Sequence, residues 1–191
     1  CIFFTLLIAG IASPFDPLFP VPMDGPGPNP PLQNHWLMAI HPPVLYLGYV
    51  GMSVPFAMSC AGLLAGRMEA GWMVPVRRWM LIPWGFLSMG IVLGGWWSYE
   101  VLGWGGAWAW DPVENSSLVP WIFAVAALHA MVVQKKTAAG HKAALWLSVL
   151  AFQLVIYSTF LTRPGLLGDV SVPRLVDLGL YNQPPLWPSW P

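Results

Sequence analysis

The residues with chemical potential cluster between Gly94 and Trp121, which reads GGWWSYEVLGWGGAWAWDPVENSSLVPW. Six of the chain's 13 Trp fall in these 28 residues, with three acidic groups and no Lys or Arg. One reading is an aromatic belt, because Trp concentrates where bilayer meets water. A belt puts one or two Trp at each helix end, whereas Trp96, Trp97, Trp104, Trp108, Trp110 and Trp121 share one connection. Gly94, Gly95, Gly103, Gly105 and Gly106 lie among them, and glycine permits close approach to a ligand or another chain. A flat binding platform is the favoured expectation. Trp104 and Trp108, four apart, would share a face if this part were helical.

Asp111-Pro112-Val113-Glu114 follows. Asp at the N-cap, Pro at the first helical position and Glu at the third have capping-box spacing. The same two carboxylates could orient a polar or cationic partner at the surface. Paired acid–base catalysis is the weaker idea, because nothing else nearby suggests hydrolysis.

Four further groups are candidates. His129 lies about 16 Å along a helix counted from Leu118, near the middle of an apolar slab roughly 30 Å thick. A mid-membrane imidazole is either hydrogen-bonded to a neighbouring helix, a proton relay, or an axial ligand to haem iron. His41 is placed at the mouth of a helix beginning at His41-Pro42-Pro43, as a solvated end group or an iron ligand on the Trp side. Arg163 closes the last span, either snorkelling to the headgroups or pairing an anion through its fork of donors. His35 and His141 are read as surface residues.

The elements that must position these groups follow from composition. The 191 residues are 57% hydrophobic and 8% charged, with a positive mean hydropathy. A soluble domain is about one quarter charged. The fold class is therefore all-α, a polytopic transmembrane helix bundle with the Trp-rich segment between two spans. Zero net charge and the absence of a basic run exclude nucleic acid as a partner. Cys1 and Cys60 form no CxxC and suggest neither a disulfide framework nor a thiolate metal site. The expected spans are 1–12 (short, as if the chain began inside a helix of a longer protein), 44–66, 79–97, 118–133 and 143–161. A Pro- and Gly-rich connector occupies 13–40 as extended loop, with at most a short turn near 33–40. An irregular tail covers 164–191. Arg67, Arg77 and Arg78 mark one inter-helix loop and Lys135, Lys136 and Lys142 another. By the positive-inside rule both face the cytoplasm, which puts the Trp-rich segment on the periplasmic side or its organellar equivalent.

WGGAWAWDPVENSSLVPW resembles the tryptophan-rich "WWD" signature of the haem-handling membrane proteins of cytochrome c maturation. NPPLQNHWLMAIHPPVLYLGYVGMSVPFA and SPFDPL resemble the CcmF/NrfE branch of that family, and the likeness runs from the first residues to Arg163. Family members are several times longer, so the chain resembles an internal portion, 1–163, of the assembly domain.

The resemblance implies a bacterial inner-membrane component, or an organellar one, with its active face periplasmic. Its partners would be a haem chaperone, apocytochrome c, other maturation subunits of the membrane, and lipid. It implies a haem lyase component that presents haem on the Trp-rich segment, so that haem vinyl groups form thioether bonds with CxxCH cysteines. By the family pattern His41 matches a periplasmic iron ligand, and His129 matches a transmembrane ligand of a resident haem b. Trp96, Trp97, Trp104, Trp108, Trp110, Asp111, Glu114 and Arg163 complete the expected cofactor-binding set. One departure stands out. A second periplasmic histidine of the family corresponds here to Ser171 or Pro173. The alternatives are an exporter of haem or another amphipathic compound, and a structural membrane subunit. Transporter sites lie at the midplane, whereas the polar residues here gather at one surface.

Overall fold

A computed structural model describes residues 9, 34–66, 70–101, 106–137 and 139–162. The expected first span, the connector as far as residue 33, Arg67, Trp104, Arg163 and the tail with Ser171 and Pro173 lie outside the described residues, residue 9 aside.

Five helices make up the described part: α1 (Trp36–Gly51), α2 (Ser53–Leu64), α3 (Ala70–Val101), α4 (Pro112–Thr137) and α5 (His141–Thr162). α1 and α2 form one apolar stretch, Trp36–Leu64, and with α3, α4 and α5 they give four units long and apolar enough to cross a membrane. The chain is a polytopic helical bundle. The break at Met52 has a local cause. Pro55 has no N–H to give the Gly51 carbonyl, while Met52 still bonds back to Gly48 and Phe56 to Met52.

The helices outrun their apolar stretches because an apolar slab sets only the part of a helix inside it. Thirty-two residues of α3 extend about 48 Å at 1.5 Å per residue, against a core of about 30 Å. Arg77 and Arg78 consequently lie in α3, not in a loop before it, and long cationic side chains at such depth reach the interface along their stems. Lys135 and Lys136 occupy the last turn of α4, where the carbonyl-rich helix end favours cations. His141 and Lys142 begin α5 and are not in the preceding loop.

The largest difference from the sequence reading is the start of α1. The helix begins at Trp36, and His41-Pro42-Pro43 lies inside it. His35 is the N-cap, its Nδ1 accepting the Leu37 N–H at 3.3 Å. The two prolines remove the bonds that residues 42 and 43 would have given Met38 and Ala39, a loss that packed membrane helices tolerate.

α1 and α3 run antiparallel in close contact. A Cβ on Gly48 would fall 2.7 Å from the Leu87 nitrogen, and one on Gly90 2.7 Å from the Leu45 Cα. Such backbone approach is the way small residues tighten helix pairs in lipid. α4 and α5 are also antiparallel. Ser158 on α5 donates to the Ser116 carbonyl at one end, and Gln134 and His141 are 2.9 Å apart at the other. Buried Ala124, Ala127, Ala144 and Ala151 let this pair approach. Trp121 Nε1 donates to Ser88 Oγ at 2.7 Å, tying α4 to α3, and Trp72 Nε1 donates to the Met58 carbonyl at 3.1 Å, tying α3 to α2. Met52, Met73, Met80, Leu87 and Met131 fill the core, and apolar side chains such as Leu47, Val92, Ile122 and Phe160 cover the outside.

Candidate functional site

The connection from α3 to α4 is held by its own acidic residues. Asp111 Oδ1 accepts the Val113 N–H at 2.7 Å, and Glu114 Oε2 accepts the N–H groups of Asp111 at 3.3 Å and Ala109 at 2.8 Å. This is a variant of the capping box, with Asp111 accepting from the second helical residue and Glu114 taking one further donor. Asn115 Nδ2 donates to the Trp110 carbonyl at 2.8 Å. These bonds hold Trp110 at φ 57°, a left-handed conformation that costs a bulky residue roughly 1–3 kcal/mol. Trp110 projects, 71% exposed, with its ring edge-on to Trp108 at 6.3 Å. Trp108 is not helical, so the helical face expected for Trp104 and Trp108 is absent at Trp108. Trp96 and Trp97 belong to α3 and not to the connection.

A cavity of about 280 Å³ opens beneath this connection, between α1, α3, α4 and α5. His41, Trp97, Trp108 and Glu114 line it together, with Gly94, Ser98 and the small hydroxyls of Ser116, Ser117 and Ser158. Four of the expected site residues therefore meet at one place. His41 is half-buried in α1 rather than solvated at a helix mouth, and its Nδ1 lies 2.8 Å from the Gly90 carbonyl of α3. A carbonyl only accepts, so the proton is on Nδ1. Nε2 has no protein partner among the described residues. Its ring lies where Gly94 has no side chain, since a Cβ there would be 2.6 Å from Cε1. Two donors at the cavity also lack partners among the described residues, Trp97 Nε1–H and the hydroxyl of the 3% exposed Ser98.

The remaining expected residues are elsewhere. Trp96 is exposed, donates Nε1–H to Glu100 and packs edge-on to Trp36 at 5.2 Å. Asp111 is buried as the cap of α4. His129 is exposed on α4, about 22 Å further along that helix than Glu114 at 1.5 Å per residue. Its Nδ1 lies 2.8 Å from the carbonyl of Val125 in its own helix.

Sequence reading missed a second cluster. His35 Nε2 lies 2.7 Å from Glu100 Oε2, so Glu100 joins the start of α1 to the end of α3 and also holds Trp96. The i, i+4 spacing of Trp96 and Glu100 was the available signal.

The donor at His41 would suit haem. Among the described residues no three His, Cys, Asp or Glu groups could hold an ion between them. Haem iron, already held by its ring, needs only axial donors such as a neutral imidazole nitrogen. A histidine ligand with its other nitrogen on a backbone carbonyl is the usual arrangement around a protein-bound metal.

Comparison with known proteins agrees with this architecture. The model of the family described as cytochrome C assembly protein matches residues 1–167. The cytochrome c-type biogenesis protein CcmF of Pseudomonas aeruginosa is 47% identical over 168 residues, covering 87% of this chain and 25% of that protein. CcmF of Escherichia coli is 45% identical over 168 residues, 87% and 26% respectively, and NrfE of Haemophilus influenzae 43% identical over 170 residues, 89% and 27%. A solved structure of the cytochrome c haem lyase CcmF superposes with a TM-score of 0.68 at 47% identity, covering 88% of this chain and 26% of that one. The chain thus spans about a quarter of the length of these relatives. By the extent of that match and the bundle it describes, the chain belongs to the cytochrome c assembly protein family, with its likeness to the CcmF and NrfE type.

Proposed function

We propose that the chain acts in cytochrome c maturation by holding haem at the end of the bundle that carries the Trp-rich connection, for covalent attachment to apocytochrome c. The observation that carries this reading is His41. Its imidazole is anchored through Nδ1 on a neighbouring helix and, among the described residues, free at Nε2, beside a cavity walled by Trp97 and Trp108. When bound, haem would supply the vinyl groups that take up cysteine thiols as thioether bonds.

The protein's own contribution is positioning, worth several kcal/mol when reacting groups are pre-aligned. His41 offers one axial nitrogen. Trp97 and Trp108 provide apolar wall, and Trp110, fixed by Asn115 and the Glu114 carboxylate, extends that surface outward. The unpartnered Trp97 and Ser98 donors would meet an acceptor on the ligand. Trp104 and Arg163 join this set by sequence pattern alone. His129 would serve a resident haem b, its second ligand coming from another element, because α4 presents it outward.

The placement of basic residues at the opposite helix ends supports a periplasmic location for the His41 end in an inner membrane. A haem chaperone, the apocytochrome and other maturation subunits would approach there. The gathering of polar groups at one end, away from the midplane, disfavours an exporter.

Co-expression with a CxxCH apocytochrome tests the reading, with haem staining of the denatured product. Trp97→Leu/Trp108→Leu should sharply reduce covalent cytochrome while the membrane protein accumulates normally. Wild-type yield from that variant would return the chain to a structural role.

A further inference from the structure

We propose that Gly90 and Gly94 of α3 are positioning residues for His41: the Gly90 carbonyl fixes which ring nitrogen carries the proton, and Gly94 is the slot that admits the ring. The inference rests on the reading of His41 as an iron ligand, and extends it to residues that act through that imidazole.

Three observations converge. First, the Nδ1–Gly90 separation of 2.8 Å is that of a good hydrogen bond, and it links two helices across 49 residues of sequence. The imidazole is thereby locked as the Nδ1–H tautomer, with its lone pair on Nε2, the form able to bind iron. Second, Gly94 is one helical turn beyond Gly90, on the same face. An added Cβ would lie 2.6 Å from Cε1, 3.1 Å from Nδ1 and 3.2 Å from Nε2. All three are tighter than ordinary contact, and they span the edge of the ring that carries both nitrogens. A rotation of the ring that relieved them would pull against the bond from Nδ1 to Gly90. Third, backbone contact sets how close the helix that carries the ring sits to α3. One turn further along α1, Leu45 meets Gly90 where a Cβ would be 2.7 Å from its Cα, and beyond that Gly48 meets Leu87. The glycines that let α1 and α3 approach therefore also define the depth of the imidazole.

This separates two reasons for glycine at one helix interface. Gly48 and Gly90 bring backbones together, a general packing device in lipid. Gly94 faces a side chain. Its substitution should disturb ligation before it disturbs packing, because the first atom displaced is Cε1 of His41.

The test uses the intact membrane protein in nanodiscs. In haem-free protein labelled with 15N-histidine, the His41 resonances, assigned by their loss in His41→Ala, should show the Nδ1–H tautomer at pH 8. An Nε2–H tautomer overturns the proposal whatever haem does. In haemin titrations, Gly94→Ala should weaken the His41-dependent site by about 10–100-fold, the usual cost of losing a partner that orients a metal ligand, with an altered Soret maximum. Wild-type affinity and spectrum in Gly94→Ala also overturn it.

A further pair separates ligation from misfolding. His41→Gly and His41→Gly/Gly94→Ala should bind haemin equally well with added imidazole, since an untethered ring can shift away from the added methyl while the ring held by α1 cannot. Recovery by the single variant alone overturns the proposal. If His41→Ala itself binds haemin as wild type does, the ligand reading fails, and the 15N spectra still decide whether the Gly90 bond exists.

Discussion

His41 and His129 hold their rings in the same way and face different surroundings. Each places Nδ1 2.8 Å from a backbone carbonyl, so each leaves Nε2 as the nitrogen with a lone pair. For His41 the carbonyl belongs to Gly90, in another helix, and the ring is half-buried at a cavity to which four helices contribute. For His129 the carbonyl is that of Val125, one turn back in its own helix, and the ring is exposed. The first histidine has a site built around it by the chain. Among the described residues the second is oriented by its own helix alone, so a site there would need another element on the outer face of α4. A shared tautomer does not imply equal completeness.

The comparison is most strongly challenged at His129. His129→Ala should abolish the haem b population of the purified protein and leave a His41-dependent one, read as the loss of one component in the pyridine haemochrome and Soret spectra. Loss of both populations would mean that the two sites are coupled and the contrast is false.

Next in size is the wall of the His41 cavity. Trp108→Leu should speed haem dissociation about tenfold, on the order of 1.4 kcal/mol, the upper range of aromatic contact beyond area burial. Stopped-flow transfer of haem to apomyoglobin measures this. The same substitution should leave the His129 population unchanged. Asp111→Ala removes an N-cap and should lower the thermal midpoint of the bundle, by a destabilisation of about 1 kcal/mol. It should also loosen the His41 end selectively, visible as faster amide exchange over 106–114 than around His129. The smallest effect belongs to Glu100→Gln. The partly exposed pair with His35 is worth at most about 1 kcal/mol, and an amide oxygen can still accept from one of His35 and Trp96. Haem affinity should stay within about twofold of wild type.

The architecture was legible in the sequence because bilayer thickness acts on long stretches. Apolar runs of the right length place helices, whereas the orientation read from Arg77, Arg78, Lys135, Lys136 and Lys142 belongs to the proposed function. The capping box of Asp111 and Glu114 was legible for the opposite reason, since a cap depends on neighbours three residues apart. His41 was placed at a helix mouth because Pro42-Pro43 reads as a helix start. That local rule yields where a packed membrane helix tolerates lost bonds and where His35 caps the chain earlier. The fit of His41 between Gly90 and Gly94 could not be read from spacing. It depends on the register of two antiparallel helices some fifty residues apart, which no local pattern encodes. Trp96 shows the same limit. Its type suggested a stacking surface, and its position gave it to Glu100 and Trp36.

The most direct test of the account is a haemin titration of the intact protein carrying His41→Ala, followed in the Soret band beside wild type and His129→Ala. The account predicts that His41→Ala loses one haem population entirely and keeps the His129-dependent one with an unshifted spectrum. Binding of the same haem equivalents, with the wild-type spectrum, would contradict it.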